Sequence, residues 1–257
     1  MDRNLYGSPI PSESEFIKER DERRAAMGDD QALRDEAIEL QMRAEKYGFG
    51  YQQEWCGVPV IRMPDDILVL QEIIWQTRPP FVVETGIARG GSLILSASLQ
   101  SMAQLDCRVL GLDIQILEHA RRAIRNSPFS EGIKTWQGDS ASQEAAQVVA
   151  DFITKTSTDD PGLLILDSDH SHKHVFNELC NLAPLLPKGS LVLVADTLIE
   201  EMPEGHYLDR PWGRGDNPLT AVRAFLGEDP RFALAERWCR RGLLTEFRNG
   251  ILQRVLM

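Results

Sequence analysis

The residues of this chain that could do chemistry are carboxylates, glycines and one histidine, and they fall into short words. The first is Phe81-Val82-Val83-Glu84-Thr85-Gly86-Ile87-Ala88-Arg89-Gly90-Gly91-Ser92. An apolar run ends in an acidic residue, passes a glycine cluster and continues into the helical pattern Leu93-Ile94-Leu95. A buried strand feeding a glycine turn that opens a helix is how open α/β sheets build nucleotide pockets. Gly86 can turn the chain with positive φ, and Gly90 and Gly91 let a ligand approach bare backbone at a helix N-terminus. The spacing is Gly-x-x-x-Gly-Gly rather than Gly-x-Gly-x-x-Gly, with Glu84 just before it. A carboxylate there suits a cationic ligand better than a pyrophosphate, and S-adenosyl-L-methionine is the common one.

The second word is Asp167-Ser168-Asp169-His170-Ser171-His172-Lys173-His174. Asp167 ends one expected strand and Asp196 follows the next, so their carboxylates can converge on a hard cation, for which Mg2+ is the natural choice. A hydroxyl bound to such a cation loses its proton more easily, as methyl transfer to oxygen requires. His170 beside them is the candidate general base; without acidic neighbours it would read as a loop histidine bonded to a backbone carbonyl. His172 and His174 fall on the exposed start of the next helix. The run resembles the His-x-His-x-Asp-His of zinc hydrolases, but Lys173 stands where the aspartate belongs.

Two further groups follow strands. Asp113 can accept both ribose hydroxyls of an adenosine, in a nicotinamide or an S-adenosylmethionine site alike. Gly138-Asp139-Ser140 either brackets an adenine edge or caps the following helix, and the two roles are compatible. Any single acidic strand end reads as a cap or a solvated turn; the series Glu84, Asp113, Asp139, Asp167, Asp196 points to a polar ligand met by successive loops.

These groups need strand ends to hold them. Apolar runs predict strands at 81–85, 107–113, 132–137, 162–167 and 190–195, separated by helices near 90–103, 116–126, 141–155 and 172–186. Continuous apolar strands alternating with helices imply a parallel sheet covered on both faces. A loop at 198–215, a helix near 217–227 and two strands at about 231–237 and 250–256 complete the pattern. A final hairpin-like pair on a five-strand core is the layout of a class I methyltransferase: α/β and Rossmann-like, with a mostly parallel seven-stranded sheet.

Ahead of this, residues 12–46 are dense in charge, with apolar positions Leu33, Ala37, Leu40 and Ala44 at helical spacing. They read as one or two amphipathic helices that pack on the main body or on another subunit, ended by Gly48-Phe49-Gly50. The division is a helical extension over residues 1–50 and one Rossmann-like domain over 51–257. Residues 55–64 read as an extended connector, and Asp65 or Asp66 can cap a helix running to about Gln76.

A formal charge of −11 argues against a general nucleic-acid binder. The basic cluster Arg237–Arg241 reads as a solvated turn between two strands. The four cysteines show no Cys-x-x-Cys spacing, so buried reduced thiols in a cytoplasmic protein are expected. The N-terminus lacks a signal-peptide layout and no apolar run reaches membrane-spanning length, so no membrane partner is expected.

At these words the chain resembles the cephalosporin hydroxylase-like family, which includes rhamnosyl O-methyltransferases. The matching words are Trp55-x-Gly57-x-Pro59, Pro64-x-Asp66, Gln71-Glu72, Arg78-Pro79, Glu84-Thr85-Gly86 with Gly90-Gly91-Ser92, Asp167-Ser168-Asp169-His170-Ser171 and Trp212-Gly213-x-Gly215. The resemblance implies S-adenosyl-L-methionine and often a magnesium ion. It puts Glu84, Gly86 and Ser92 around the methionine part, Asp113 on the ribose, and Asp167 with Asp196 on the metal. Where the family has Glu-Asp after the fifth strand this chain has Ala195-Asp196, so Asp169, Glu200 or water must replace a ligand. The loop 198–215 is expected to cover the acceptor.

The expected activity is O-methylation of a hydroxyl on a sugar-containing or polyhydroxylated small molecule by a homo-oligomer. The competing readings are an NAD(P)-dependent oxidoreductase, disfavoured by the glycine spacing, and a non-catalytic family member that oligomerises through its N-terminal helices. Hydroxylation finds no iron-binding triad outside the histidine run.

Overall fold

The structure, a computed structural model, describes residues 11–156 and 159–256. Two helices come first, α1 (Glu13–Asp29) and α2 (Gln31–Glu45). Ser12 and Glu15 form a capping box at the start of α1, and Asp30 breaks the pair and caps α2 by accepting from the Leu33 N–H. α1 buries no residue. The pair is tied to the body of the same chain by Arg24–Glu72 at 2.8 Å and Arg240–Asp29 at 3.3 Å. On α2 the buried face is Ala37, Ile38 and Gln41, whereas Leu40 points outward. The inward face is thus rotated from the one the apolar spacing implies, and it includes an amide.

Residues 55–64 are not a plain connector. Strands β1 (Gln53–Trp55) and β2 (Val58–Val60) form a hairpin across Cys56-Gly57, both with positive φ. Helix α3 (Pro64–Thr77) follows with Met63 as its N-cap and no side-chain cap bond. The two aspartates do other work. Asp65 accepts from the Leu243 and Leu244 N–H groups, and Asp66 from the Glu246 N–H and the Thr245 hydroxyl, so α3 anchors a C-terminal segment.

The central sheet contains β3 (Val82–Thr85), β4 (Val109–Asp113), β5 (Ile133–Gln137), β6 (Leu163–Leu166), β7 (Leu191–Val194), β8 (Phe232–Leu234) and β9 (Ile251–Arg254). Their order is β5-β4-β3-β6-β7-β9-β8, with only β9 antiparallel to both its neighbours. Helices α4 (Gly91–Met102), α5 (Glu118–Asn126), α6 (Gln143–Thr156), α7 (His172–Leu182) and α8 (Pro218–Glu228) cover it. The period-2 geometry of a strand sends alternate residues to opposite layers. Val82, Leu163, Ile165, Leu191 and Leu193 pack with α3 and α4, while Val83, Leu164, Leu166, Val192 and Val194 pack with α6, α7 and α8. Hence these strands read as unbroken apolar runs.

The C-terminal strands are shorter than their apolar patterns. The stretch after β8 turns into the short helix α9 (Glu236–Cys239), which buries Trp238 and Cys239. Arg237 and Arg241 lie over the Trp238 ring, and Arg241 pairs with Glu72, so the basic cluster is a packed joint rather than a solvated turn. All four cysteines are free, and only Cys239 is buried. Among the described residues no helix is long and apolar enough to cross a membrane.

Register is what positions the site. Thr85 lies opposite both Leu112 and Leu166, and Leu166 opposite Val194. The residues that follow, Gly86, Asp113, Asp167 and Ala195, therefore leave the sheet at one level. The chain order reverses between β4-β3 and β6-β7, and the crevice at such a switch point is where open sheets bind ligands.

Candidate active site

Two adjoining cavities open at this edge. The larger, of about 750 Å³, is lined by the Gly86 turn, Ser92, the 167–170 word, Asp196 and Glu246. The smaller, of about 370 Å³, is lined by Asp113, Ile114, Asp139, Ser140 and His174. Gly86, Ser168 and Asp169 belong to both walls. An elongated ligand with two unlike ends fits such a pair.

Gly86 has φ +86°, and a Cβ on it would fall 1.9 Å from the Asp167 carbonyl oxygen. Only glycine lets β3 and β6 approach this closely. At Gly91 the space is taken by the Pro59 carbonyl, and at Gly90 by Ile124. Those two glycines therefore serve the packing of α4 on the β1–β2 hairpin and on α5 as well as any ligand. Asp113 accepts from the Ile87 N–H at 2.7 Å and the Gln115 N–H at 2.8 Å, which fixes its carboxylate at the mouth of the smaller cavity. Asp139 caps the turn at Ala141, and Ser140 meets His174 Nε2 at 3.2 Å.

Ligating atoms of Asp167, His170 and Asp196 all lie within 4.8 Å of one another. Asp196 sits in the left-handed region at φ +55°, a conformation aspartate tolerates better than most residues, and it directs its carboxylate across to His170 Nδ1 at 3.4 Å. Asp169 is not brought into this group; its Oδ1 accepts from the Ser171 N–H and hydroxyl. Glu200 is also engaged elsewhere, bracing the Gly215 N–H and the Asn217 amide. His172 and His174 turn away to Thr220 and to Ser140 and Glu178, and both are half-buried rather than exposed. The three histidines share no site.

Sequence reasoning missed the charge that organises the interior. Arg62 is fully buried, pairing with Glu84 at 2.9 Å and Asp167 at 3.4 Å. Burial works against its charge, but Asp167 and Glu84 outweigh that and raise its pKa. Glu84 is itself wholly buried and lies behind the cavity rather than on its wall; burial raises its pKa against the opposing effect of Arg62 and Ser92. Its cation is an internal arginine. Burial pushes Asp167 up to about 7, Arg62 opposing and Asp196 adding to it. Glu246, also on the wall, is raised well above its usual range by burial and by Asp196, Asp66 and Asp167. A lone arginine in the apolar stretch Val60-Ile61-Arg62-Met63 was the available signal; nothing in Thr245-Glu246-Phe247 announced Glu246.

Four carboxylates, those of Asp66, Glu84, Asp167 and Glu246, thus act on one arginine, and Asp196 adds its charge to those of Asp167 and Glu246. Such a surplus of negative charge is costly unless protons or a cation neutralise it. Asp167 and Asp196 offer the oxygen donors that magnesium accepts, and only with the His170 imidazole added would the set suit first-row divalent metals.

The model of the Rhamnosyl O-methyltransferase/CmcI family matches residues 47–255. The chain belongs to that family. It is a family of S-adenosylmethionine-dependent methyltransferases, which sets aside the dehydrogenase reading. The Rhamnosyl O-methyltransferase of Mycobacterium leprae is 31% identical over 180 residues, covering 68% of this chain and 71% of that protein. Its counterpart in Mycobacterium tuberculosis H37Rv is 30% identical over 178 residues, covering 68% and 67%. Among solved structures, CmcI with Mg and SAM superposes with a TM-score of 0.57 at 22% identity, over 80% of this chain and 77% of that one. The apo structure of CmcI gives 0.59 at 21% identity, over 80% and 78%. These likenesses show the class I methyltransferase fold. The matched segment begins after α2, so both N-terminal helices lie ahead of it.

Proposed function

We propose that this chain transfers the methyl group of S-adenosylmethionine to a hydroxyl of a sugar-containing or polyhydroxylated small molecule, with a divalent cation at Asp167 and Asp196. The observation that carries the reading is the meeting of Asp167, His170 and Asp196 within 4.8 Å at the strand ends beside the Gly86 turn. When bound, the donor supplies an electrophilic sulfonium methyl, and the cation makes the acceptor hydroxyl more acidic.

The chain's own residues do the rest. Asp113, held by the Ile87, Ala88 and Gln115 N–H groups, keeps a lone pair on Oδ1 for a ribose hydroxyl. Asp139 and Ser140 bound the adenine end of the smaller cavity, and Ser92 with the Gly86 turn bounds the methionine end. His170 has Nδ1 turned to Asp196, which leaves Nε2 to take the acceptor's proton. The Trp212 ring stands edge-on to His170, with ring centroids 5.1 Å apart, and walls one side of the imidazole. Holding donor and acceptor in line is the larger part of the rate gain in such a transfer.

Titration calorimetry with S-adenosylmethionine tests the donor, with micromolar binding expected. Methyl transfer to glycosides with and without Mg2+ tests the rest. A folded protein that binds no S-adenosylmethionine removes the reading.

A further inference from the structure

We propose that Gln41 on α2 reads a pair of neighbouring hydroxyls on the methyl acceptor, which makes α2 the specificity wall of this enzyme. The proposal rests on the hydroxyl-directed reading above. Gln41 is 2% exposed, and among the described residues neither its Nε2 nor its Oε1 has a hydrogen-bond partner. Most other buried atoms in that state belong to charged groups in ionic clusters, such as Arg62 and Glu84. Gln41 is a neutral amide left wanting at both ends, and it lines the same cavity as Asp167, His170 and Asp196. A buried amide without partners is unfavourable, so a residue in this state facing a cavity marks where a ligand's polar groups belong.

The helix that carries it is fixed. Ile38 packs on Leu198 and Met202, and Arg34 pairs with Glu201, so α2 sits on the segment that follows β7. The amide is therefore held over the carboxyl ends of the strands by Arg34 and Ile38 before it on the helix and by Met42, which packs on the same cluster, after it.

The chemistry of the wall selects the ligand class. An amide offers N–H donors and a carbonyl acceptor side by side, which two vicinal hydroxyls match in both senses. An anionic ligand would use only the donors and would meet Asp167, Asp196 and Glu246 across the cavity. Tyr207 and Trp212, with ring centroids 4.8 Å apart, add an aromatic wall for the C–H face of a ring. Donor and acceptor side by side, an acidic floor and an aromatic wall fit an uncharged cyclic polyol.

The test uses the full chain loaded with S-adenosylhomocysteine and Mg2+, and p-nitrophenyl α-L-rhamnopyranoside with its monodeoxy analogues as probes. Calorimetry should show the wild type weakening about tenfold for an analogue that lacks one of the paired hydroxyls. Gln41→Leu should bind the parent glycoside about tenfold more weakly and no longer distinguish it from that analogue, with S-adenosylhomocysteine affinity unchanged. A merely structural glutamine would not erase that distinction. If Gln41→Leu does not fold, Gln41→Asn, one methylene too short, is read the same way. Unaltered discrimination in the variant overturns the proposal. So does a wild type that binds S-adenosylhomocysteine but none of the glycosides, a result that leaves the methyl-donor reading standing. A wild type that binds no S-adenosylhomocysteine instead fails the functional reading beneath it.

Discussion

The cavity has two walls built by different means. One is made of strand ends: Gly86, Asp167 and Asp196 leave parallel neighbours in register, over buried Arg62 and Glu84. The other is made of α2 and the loop after β7, held by a small cluster of Ile38, Leu198 and Met202 and by surface contacts from Glu45 to His206 and Tyr207. The first wall cannot move without breaking sheet hydrogen bonds and separating buried charges. The second is anchored by one small apolar cluster and a few polar pairs, so displacing it costs less than opening the sheet. Reacting groups need fixed geometry, whereas an acceptor site must be entered and changed between substrates. The family match covers the first wall and begins only after α2.

The sharpest break of this contrast is Arg62→Met. It leaves Glu84 and Asp167 buried without their cation, and a cost of about 3–5 kcal/mol in urea unfolding is expected. Arg62→Met with Glu84→Gln should recover part of that loss, since one unpaired charge is removed with its partner. If Arg62→Met unfolds like the wild type, the rigid wall does not depend on its buried charge. Asp196→Asn comes next. Methyl transfer should fall roughly 100-fold and lose its response to added Mg2+, while S-adenosylmethionine binding by calorimetry is retained. Equal loss of donor binding would show that Asp196 shapes the fold rather than the chemistry.

The rigid wall was largely legible in the sequence, because strand ends announce themselves. Apolar runs ending at Glu84, Asp113 and Asp167 marked the sheet, and two of those carboxylates, Asp113 and Asp167, line the cavities. Glu84 shows the limit of that reasoning. Its position next to the glycines looked like a ligand contact, but its partner Arg62 comes from a segment 22 residues earlier, which no local pattern connects to it. Asp65 and Asp66 misled in the same way, since their partners at 243–246 lie about 180 residues on. The second wall was not legible. The apolar positions of α2 put Leu40 on the buried side, whereas the helix turns Gln41 inward because Ile38 and Ala37 pack on the body. Register between distant segments sets such choices, and single-chain periodicity does not contain it.

Proton linkage separates the walls more gently. Asp66 and Asp167 are both raised by burial from 3.8 to about 7. Between those values the folded chain holds protons that the unfolded chain has released, so stability without a divalent cation falls as pH rises through this window. Urea unfolding at pH 5 and pH 7 in EDTA should show the loss. Added Mg2+ should reduce it at pH 7, because a cation at Asp167 replaces the proton. A Mg2+-free protein that is more stable at pH 7 than at pH 5 would contradict the charge surplus assigned to this interior.

The smallest effect is expected at the second wall. Glu45 accepts from His206 Nε2 at 2.6 Å and from the Tyr207 hydroxyl at 3.0 Å, linking the end of α2 to the loop that carries Trp212. Burial, with Glu45 adding to it, raises the Tyr207 pKa, so this hydroxyl stays protonated and able to donate. The carboxylate is exposed, and Glu45→Ala should cost less than about 1 kcal/mol of global stability. Local opening is another matter, because free energies of opening vary across a structure. Trypsin should cut the variant faster at Arg214, and S-adenosylhomocysteine should not protect that bond while an acceptor glycoside does. Protection by S-adenosylhomocysteine alone would mean that the loop answers to the donor, and the division of the cavity into a donor wall and an acceptor wall would have to be redrawn.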